Sequence, residues 1–280
     1  MLQFAIANLV HTEPTFEVPS SLGMWEFFRF PNYANALSSL EKGMCANTYF
    51  ASLPSIDPTA SDAEFIAACD EIVDVCLVLS FLTARCVTPW GTTANSDMQF
   101  LSLGDKFVVA RSIVGFPSFR PGPFATIFAA WLGTAYPAYR NRSLRLQLCH
   151  WLSGLTCFSL EDLYLAAGVQ MDIVKQRERA STGDSTLTYF QGMMSASNRY
   201  SLSPLGNDYK NMRNDIVHEG VLSGSNFPGK SKSECAAVVA ETMNWLDTYV
   251  FAVVGIPNPP GFPRWRGLDL VRGLPAVSIR

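Results

Sequence analysis

A short stretch of this sequence brings acid–base, charge-stabilising and orienting side chains together at a fixed spacing. It reads Lys210-Asn-Met-Arg213-Asn214-Asp215-Ile-Val-His218-Glu219-Gly220. An imidazole can take a proton from a hydroxyl or return one to a leaving oxygen. A guanidinium can hold the charge that develops on a phosphate through its bidentate fork. A carboxamide can fix the ring's tautomer or a phosphate oxygen. Together these groups suit cleavage of RNA without a metal. His218 would be the general acid/base, Arg213 the phosphate and transition-state stabiliser, and Asn214 the orienting residue.

The spacing requires a helix. At about 100° per residue, Asn214 and His218 share one face, within hydrogen-bonding reach of each other. Leu205, Tyr209, Met212 and Ile216 form an apolar stripe on roughly the opposite face. Arg213 lies between the two faces, long enough to swing toward the histidine. Pro204 suits a first helical turn, and Gly220 suits the end, so the helix is expected over 204–220.

Arg213-Asn214-x-x-x-His218 resembles the R-x4-H motif of the HEPN superfamily, including the polar residue after the arginine. The following Glu-Gly and the last amphipathic helix resemble its Apea-like branch. The resemblance covers about residues 140–254. It implies an all-helical bundle that dimerises to bring two motifs together. It also implies a metal-independent endoribonuclease of single-stranded RNA, with no cofactor, of the kind found in toxin–antitoxin, abortive-infection and RNA-guided antiviral systems. Such an enzyme endangers its host, so a regulatory protein or defence complex is expected beside the homodimer. The same superfamily includes non-catalytic adaptors that bind RNA, nucleotides or proteins, and that is the alternative reading. In the toxin branch paired with nucleotidyltransferase antitoxins, a tyrosine stands two residues after the histidine as the modification target. Here that position is Gly220, so control by that route is not expected.

A second match, Arg145-Leu-Gln-Leu-Cys-His150, lacks the polar residue and lies in an apolar helix. His150 beside Trp151 reads as a core or interface histidine. Lys210, Arg140, Arg142 and Arg145 are candidate RNA-binding cations, which Arg177 and Arg179 would join if the helices are neighbours.

The elements around the motif are legible to different degrees. Residues 139–255 read as a bundle of four or five helices. Tyr139–Leu155 carries Leu144, Leu148 and Trp151, and Ser159 caps a helix to about Arg179. Thr186–Ser197 reads as a shorter helix. Ser231 caps the last one, with Val239, Met243, Leu246, Val250 and Val253 facing the core. Residues 256–280 form a Pro-rich tail that cannot continue it. Residues 1–138 read as a less regular sensor or docking region of α+β character. Within it, Phe4–Val10 is a candidate strand, and Pro14, Pro19, Pro31, Pro54 and Pro58 punctuate the rest. Ser61-Asp-Ala-Glu64 is a capping box opening a helix to about Cys86. Asp62, Glu64, Asp70, Glu71 and Asp74 are expected on its solvated face. From 87 to 137 prolines and glycines recur, leaving short strands and one apolar helix near Phe124–Trp131. The fold class is therefore mainly α, with a less regular N-terminal region.

Composition limits the remaining options. Of 280 residues 48% are hydrophobic and 16% charged, against about 25% charged in ordinary domains. That excess argues against disorder and for a face buried by self-association. A net charge of −3 provides no global field for nucleic acid, so an RNA enzyme would need a local basic groove. The apolar runs Val75–Ala84 and Phe124–Gly133 are shorter than the ~18–20 residues of a membrane span, and Met1–Ala5 has no basic leader pattern. Seven scattered cysteines without a C-x-x-C pair, and three histidines, disfavour a zinc site. They read as reduced thiols in a cytoplasmic protein.

Overall fold

The computed structural model describes residues 1–11, 13–57, 61–92, 144–256 and 263–278. These fall into two compact units, the first running to Leu148 and the second from Cys149. The chain is mainly α-helical with an N-terminal antiparallel sheet. The helix expected near Phe124–Trp131 lies outside the described residues, as do Arg140 and Arg142.

The first unit is more regular than its prolines suggest. β1 (Leu2–Ala7), β2 (Thr15–Pro19), β3 (Met24–Arg29), β4 (Asn47–Leu53) and β5 (Thr88–Thr92) form one sheet in the order β2-β3-β4-β1-β5. Every pairing is antiparallel, with Phe4 opposite Ala51 and Phe27 also opposite Ala51 across the other edge of β4. Among the described residues Pro14, Pro19, Pro31 and Pro54 occupy strand ends and loops, and Pro89 lies in β5, which pairs with β1 at the end of the strand order. Such places tolerate a missing N–H. Alternating residues of the strands (Phe4, Ile6, Trp25, Phe27, Tyr49, Ala51) are fully buried.

Helix α1 (Tyr33–Glu41) follows β3, and α2 (Asp62–Thr83) packs against β5. The Ser61/Glu64 capping box starts α2 as the sequence indicates. Its acidic residues do not share a solvated face. Asp62 and Glu64 are exposed, but Glu71 and Asp74 are buried. Glu71 accepts hydrogen bonds from Ser21 N (3.0 Å), Ser21 Oγ (2.5 Å) and Trp25 Nε1 (3.0 Å), which ties the β2–β3 turn to the helix. Asp74 is paired with Arg145 Nε at 3.0 Å. A helix buried on nearly all sides leaves no solvated face in its second half, so its carboxylates need partners.

The second unit takes up the end of α3 (Arg145–Gly154), then α4 (Leu160–Thr182), α5 (Tyr189–Tyr200), α6 (Asn207–Glu219), α7 (Lys232–Val253) and α8 (Gly267–Gly273). Helices α4, α5, α6 and α8 all pack on α7. Side-chain caps from Ser159, Thr188 and Ser231 set three of the starts. The Thr188/Gln191 capping box starts α5 later than Thr186 and carries it to Tyr200. The tail also differs from expectation. Beyond the stop after Val253 it folds back as α8, and Trp265 exchanges hydrogen bonds with Asn244 through its N–H and C=O (both 2.8 Å). Under this return lies Asp247, fully buried. It accepts from Trp151 Nε1 (2.7 Å), Trp265 Nε1 (2.9 Å) and Arg264 Nε (2.8 Å). Among the described residues no helix is long and apolar enough to cross a membrane.

Candidate functional site

The R-N-x-x-x-H stretch lies on α6, which is shorter at its start than the sequence suggests. Gly206, in an extended conformation, is the N-cap, and Pro204 and Leu205 precede the helix. Leu205 is nevertheless buried, so the first member of the apolar stripe packs from outside the helix. Tyr209, Met212, Asp215 and Ile216 are the buried residues of α6. His218 is exposed on the last turn, and Asn214, one turn earlier, is half-buried. Among the described residues no hydrogen bond joins them. The helix ends at Gly220, whose φ of +72° is the left-handed conformation a glycine adopts without cost. A tyrosine at this position would be strained.

Arg213 is held on an aromatic ring of the preceding helix. Its guanidinium carbon lies 4.1 Å from the centre of the Tyr189 ring, at the start of α5. Tyr189 in turn faces Tyr209, with ring centres 5.9 Å apart, and Lys175 Nζ lies 5.8 Å from its ring. Lys210 makes a parallel contact one turn before Arg213, with Nζ 5.6 Å from the Phe190 ring. A guanidinium on an aromatic face keeps its N–H edge free for ligands while its flat face is held.

Burial pushes the Tyr189 hydroxyl up to about 12, against the opposing pull of Tyr209 and the Arg213 charge. Burial also raises Tyr164 and Tyr209 well above the ordinary range. All three therefore stay neutral at physiological pH and offer rings and O–H donors, not bases. Tyr164 Oη donates to the Tyr209 carbonyl at 2.6 Å, which locks α4 to α6.

Asp215, inside the motif but outside the expected constellation, organises the loop that follows. It is fully buried and accepts from Gly224 N (2.8 Å), Asn226 N (2.9 Å), Asn226 Nδ2 (2.7 Å) and Phe227 N (2.8 Å). Burial alone would raise its pKa. The hydrogen bonds from Asn226, Gly224 and Phe227 outweigh that and hold it below the usual carboxylate range. Glu219 accepts from the N–H and hydroxyl of Ser225. A side chain at Gly224 would come within 2.5 Å of Glu219 Oε2 and 2.9 Å of Asp215 Cγ, so only glycine lets the loop close. An acid near a helix end followed by a Ser/Gly/Asn loop is a sequence signal for such anchoring. Tyr189 offers no comparable signal, because it meets Arg213 only through packing.

The other candidates separate from this cluster. Arg145 belongs to the first unit and is committed to Asp74, with Asp70 at 4.0 Å. His150 is half-buried, and Arg179 donates twice to the Leu187 carbonyl (3.0 and 2.6 Å). None of the cysteines among the described residues forms a disulfide. Burial pushes Cys157 up to about 12 and Cys235 up to about 11, which makes neither a ready nucleophile. No group of three or more His, Cys, Asp or Glu side chains among the described residues is placed to hold a metal ion.

Comparison of the chain with protein-family models, with curated proteins and with solved structures finds no match.

Proposed function

We propose that this protein is a HEPN-type endoribonuclease of single-stranded RNA, working as a homodimer without a metal and serving as a toxin or antiviral effector. The observation that supports it most is the division of labour along α6. Tyr209, Met212, Asp215 and Ile216 are buried and hold the helix, while His218 is exposed and Arg213 and Asn214 are half-buried beside it. A helix whose inner face is fully committed can present its polar groups at a fixed geometry.

In the proposed reaction an imidazole removes the proton of a 2′-hydroxyl. The 2′-oxygen then attacks the adjacent phosphorus, and the bond from phosphorus to the 5′-oxygen breaks. A second imidazole returns a proton to that oxygen, leaving a 2′,3′-cyclic phosphate and a 5′-hydroxyl. Arg213 stabilises the charge on the non-bridging oxygens. The proposal pairs the Arg213 and His218 of one subunit with those of a second related by a two-fold axis. Asn214 orients the ring or a phosphate oxygen, and Lys210 adds local positive charge. The cytoplasm is the compartment this reading requires.

The test is His218→Ala, assayed for cleavage of a single-stranded RNA and for growth arrest on expression. General acid–base catalysis by one group contributes about 10²–10⁴-fold, so cleavage should fall by at least a hundredfold with an unchanged melting temperature. Undiminished RNA decay would leave the adaptor reading.

A further inference from the structure

Beside the Arg213–Tyr189 pair the second unit has a cavity of about 150 Å³ between α4 and α6. We propose that it is a nucleobase subsite, holding one base of the RNA whose phosphate is handled by the neighbouring arginine; this rests on the ribonuclease reading.

Size comes first. The space suits a single planar ring system and is far smaller than the roughly 300–1,000 Å³ pockets of drug-sized ligands. Tyr189 and the Arg213 guanidinium held over its ring both line it, an aromatic ring and a planar cation of the kinds that single-stranded RNA sites use. Opposite polarity completes it. Arg213 provides N–H donors, and Asp172, which also lines the cavity, provides carboxylate acceptors; its side chain is 48% exposed while one oxygen pairs with Lys175 Nζ at 2.6 Å. A heterocycle with donors and acceptors on its edge satisfies both, and an aliphatic ligand satisfies neither.

The rim is apolar as well. Leu165, Val169 and Val217 line it and remain 48, 42 and 51% exposed. Three large aliphatic side chains left in water around one opening would gain from covering by a ring face. The space is also kept open locally. Gly168 lines the cavity, and a Cβ there would meet only the Tyr189 hydroxyl, at 3.8 Å. The absence of a side chain at that one helical position leaves room for the ring.

The experiment titrates the full-length protein with guanosine 5′-monophosphate by calorimetry and saturation-transfer NMR, with ribose 5-phosphate as the control without a base. Guanine is the probe because O6 and N7 suit an arginine and N1–H and N2–H suit a carboxylate. Two variants fill the space, Gly168→Leu from within and Val169→Trp from the exposed rim. The wild type should bind the nucleotide through its base protons and ignore ribose 5-phosphate. Both variants should weaken binding at least tenfold while melting as the wild type does. Equal nucleotide affinity in a folded Val169→Trp variant, or equal binding of ribose 5-phosphate, would overturn the subsite. His218→Ala separates the two proposals. It should bind the nucleotide normally and lose cleavage, whereas cleavage that persists with base binding intact ends the nuclease reading and leaves the subsite standing.

Discussion

The guanidinium carbon of Arg213 lies 4.1 Å from the ring centre of Tyr189, so the motif's cation is held by an aromatic ring on α5 and not by the histidine of its own helix. Two consequences follow from that contact. The arginine's edge, not its face, is what a phosphate would meet. Its position also depends on how α5 packs against α6. Cation–aromatic contacts of this kind contribute about 0.5–2 kcal/mol, so their loss should read as roughly a few-fold to thirtyfold change in an activity that depends on the arginine's placement.

Tyr189→Phe keeps the ring and loses only the hydroxyl, which donates to the Gly168 carbonyl at 3.3 Å. Tyr189→Leu loses the ring. We expect single-turnover RNA cleavage to stay within about threefold for the phenylalanine variant and to fall by about tenfold for the leucine variant. Arg213→Lys should fall further, because an ammonium can neither stack flat nor bind a phosphate bidentately. Equal rates for Tyr189→Phe and Tyr189→Leu would show that the ring does not position the arginine.

Asp215 should control the stability of the loop over 221–230 and its response to acid. Asp215→Ala leaves three backbone N–H groups without their acceptor, at a cost of about 2–4 kcal/mol. Amide exchange at Gly224, Asn226 and Phe227 should accelerate accordingly. The sign with pH follows from the lowered carboxyl pKa. A group whose folded pKa lies below its unfolded value of about 3.9 stabilises fully above that value and loses the contribution as pH falls through the folded one. Chemical denaturation between pH 7 and pH 2 should therefore show a fall in wild-type stability below about pH 4 that is smaller in Asp215→Asn.

The fully buried Asp247 joins Trp151, Trp265 and Arg264. Removing it takes the carboxylate away from the buried Arg264 guanidinium and from two indole N–H groups, which typically costs about 3–5 kcal/mol. Asp247→Ala should lower the melting temperature more than any single change at an exposed carboxylate of this unit, such as Glu241. It should also release the returning tail to proteolysis around α8. A tail still protected in that variant would mean that α8 is held by its apolar contacts alone.

A contrast along α2 tests the partition of its acidic residues. Glu71→Ala removes the acceptor of Trp25 Nε1 and of both Ser21 donors, and should cost about 2–3 kcal/mol. Asp70→Ala, at a 67% exposed side chain, should change stability by less than about 0.5 kcal/mol. Urea denaturation of the two variants side by side reads the difference; similar costs would return both residues to a solvated face.

What the amino-acid order determined by itself was local. Ser61 with Glu64, Ser159 with Asp162, and Ser231 with Glu234 sit three residues apart, and each pair closes its cap within one helical turn. A reader of the sequence can therefore place those helix starts. The same short range makes the outward position of His218 legible against the buried Tyr209, Met212 and Ile216. Residues 2–53 were harder, because prolines at strand ends look the same as prolines in coil until the neighbouring strand is known. Asp70 and Asp74 are both carboxylates one turn apart on α2, yet one is exposed and the other is buried against Arg145. Only the packing of that helix decides between them. Tertiary structure alone also brought Tyr189 under Arg213 and hollowed the space above Gly168. In each case the deciding contact joins groups that the chain's local rules leave independent, and its energy exists only once both helices are in place.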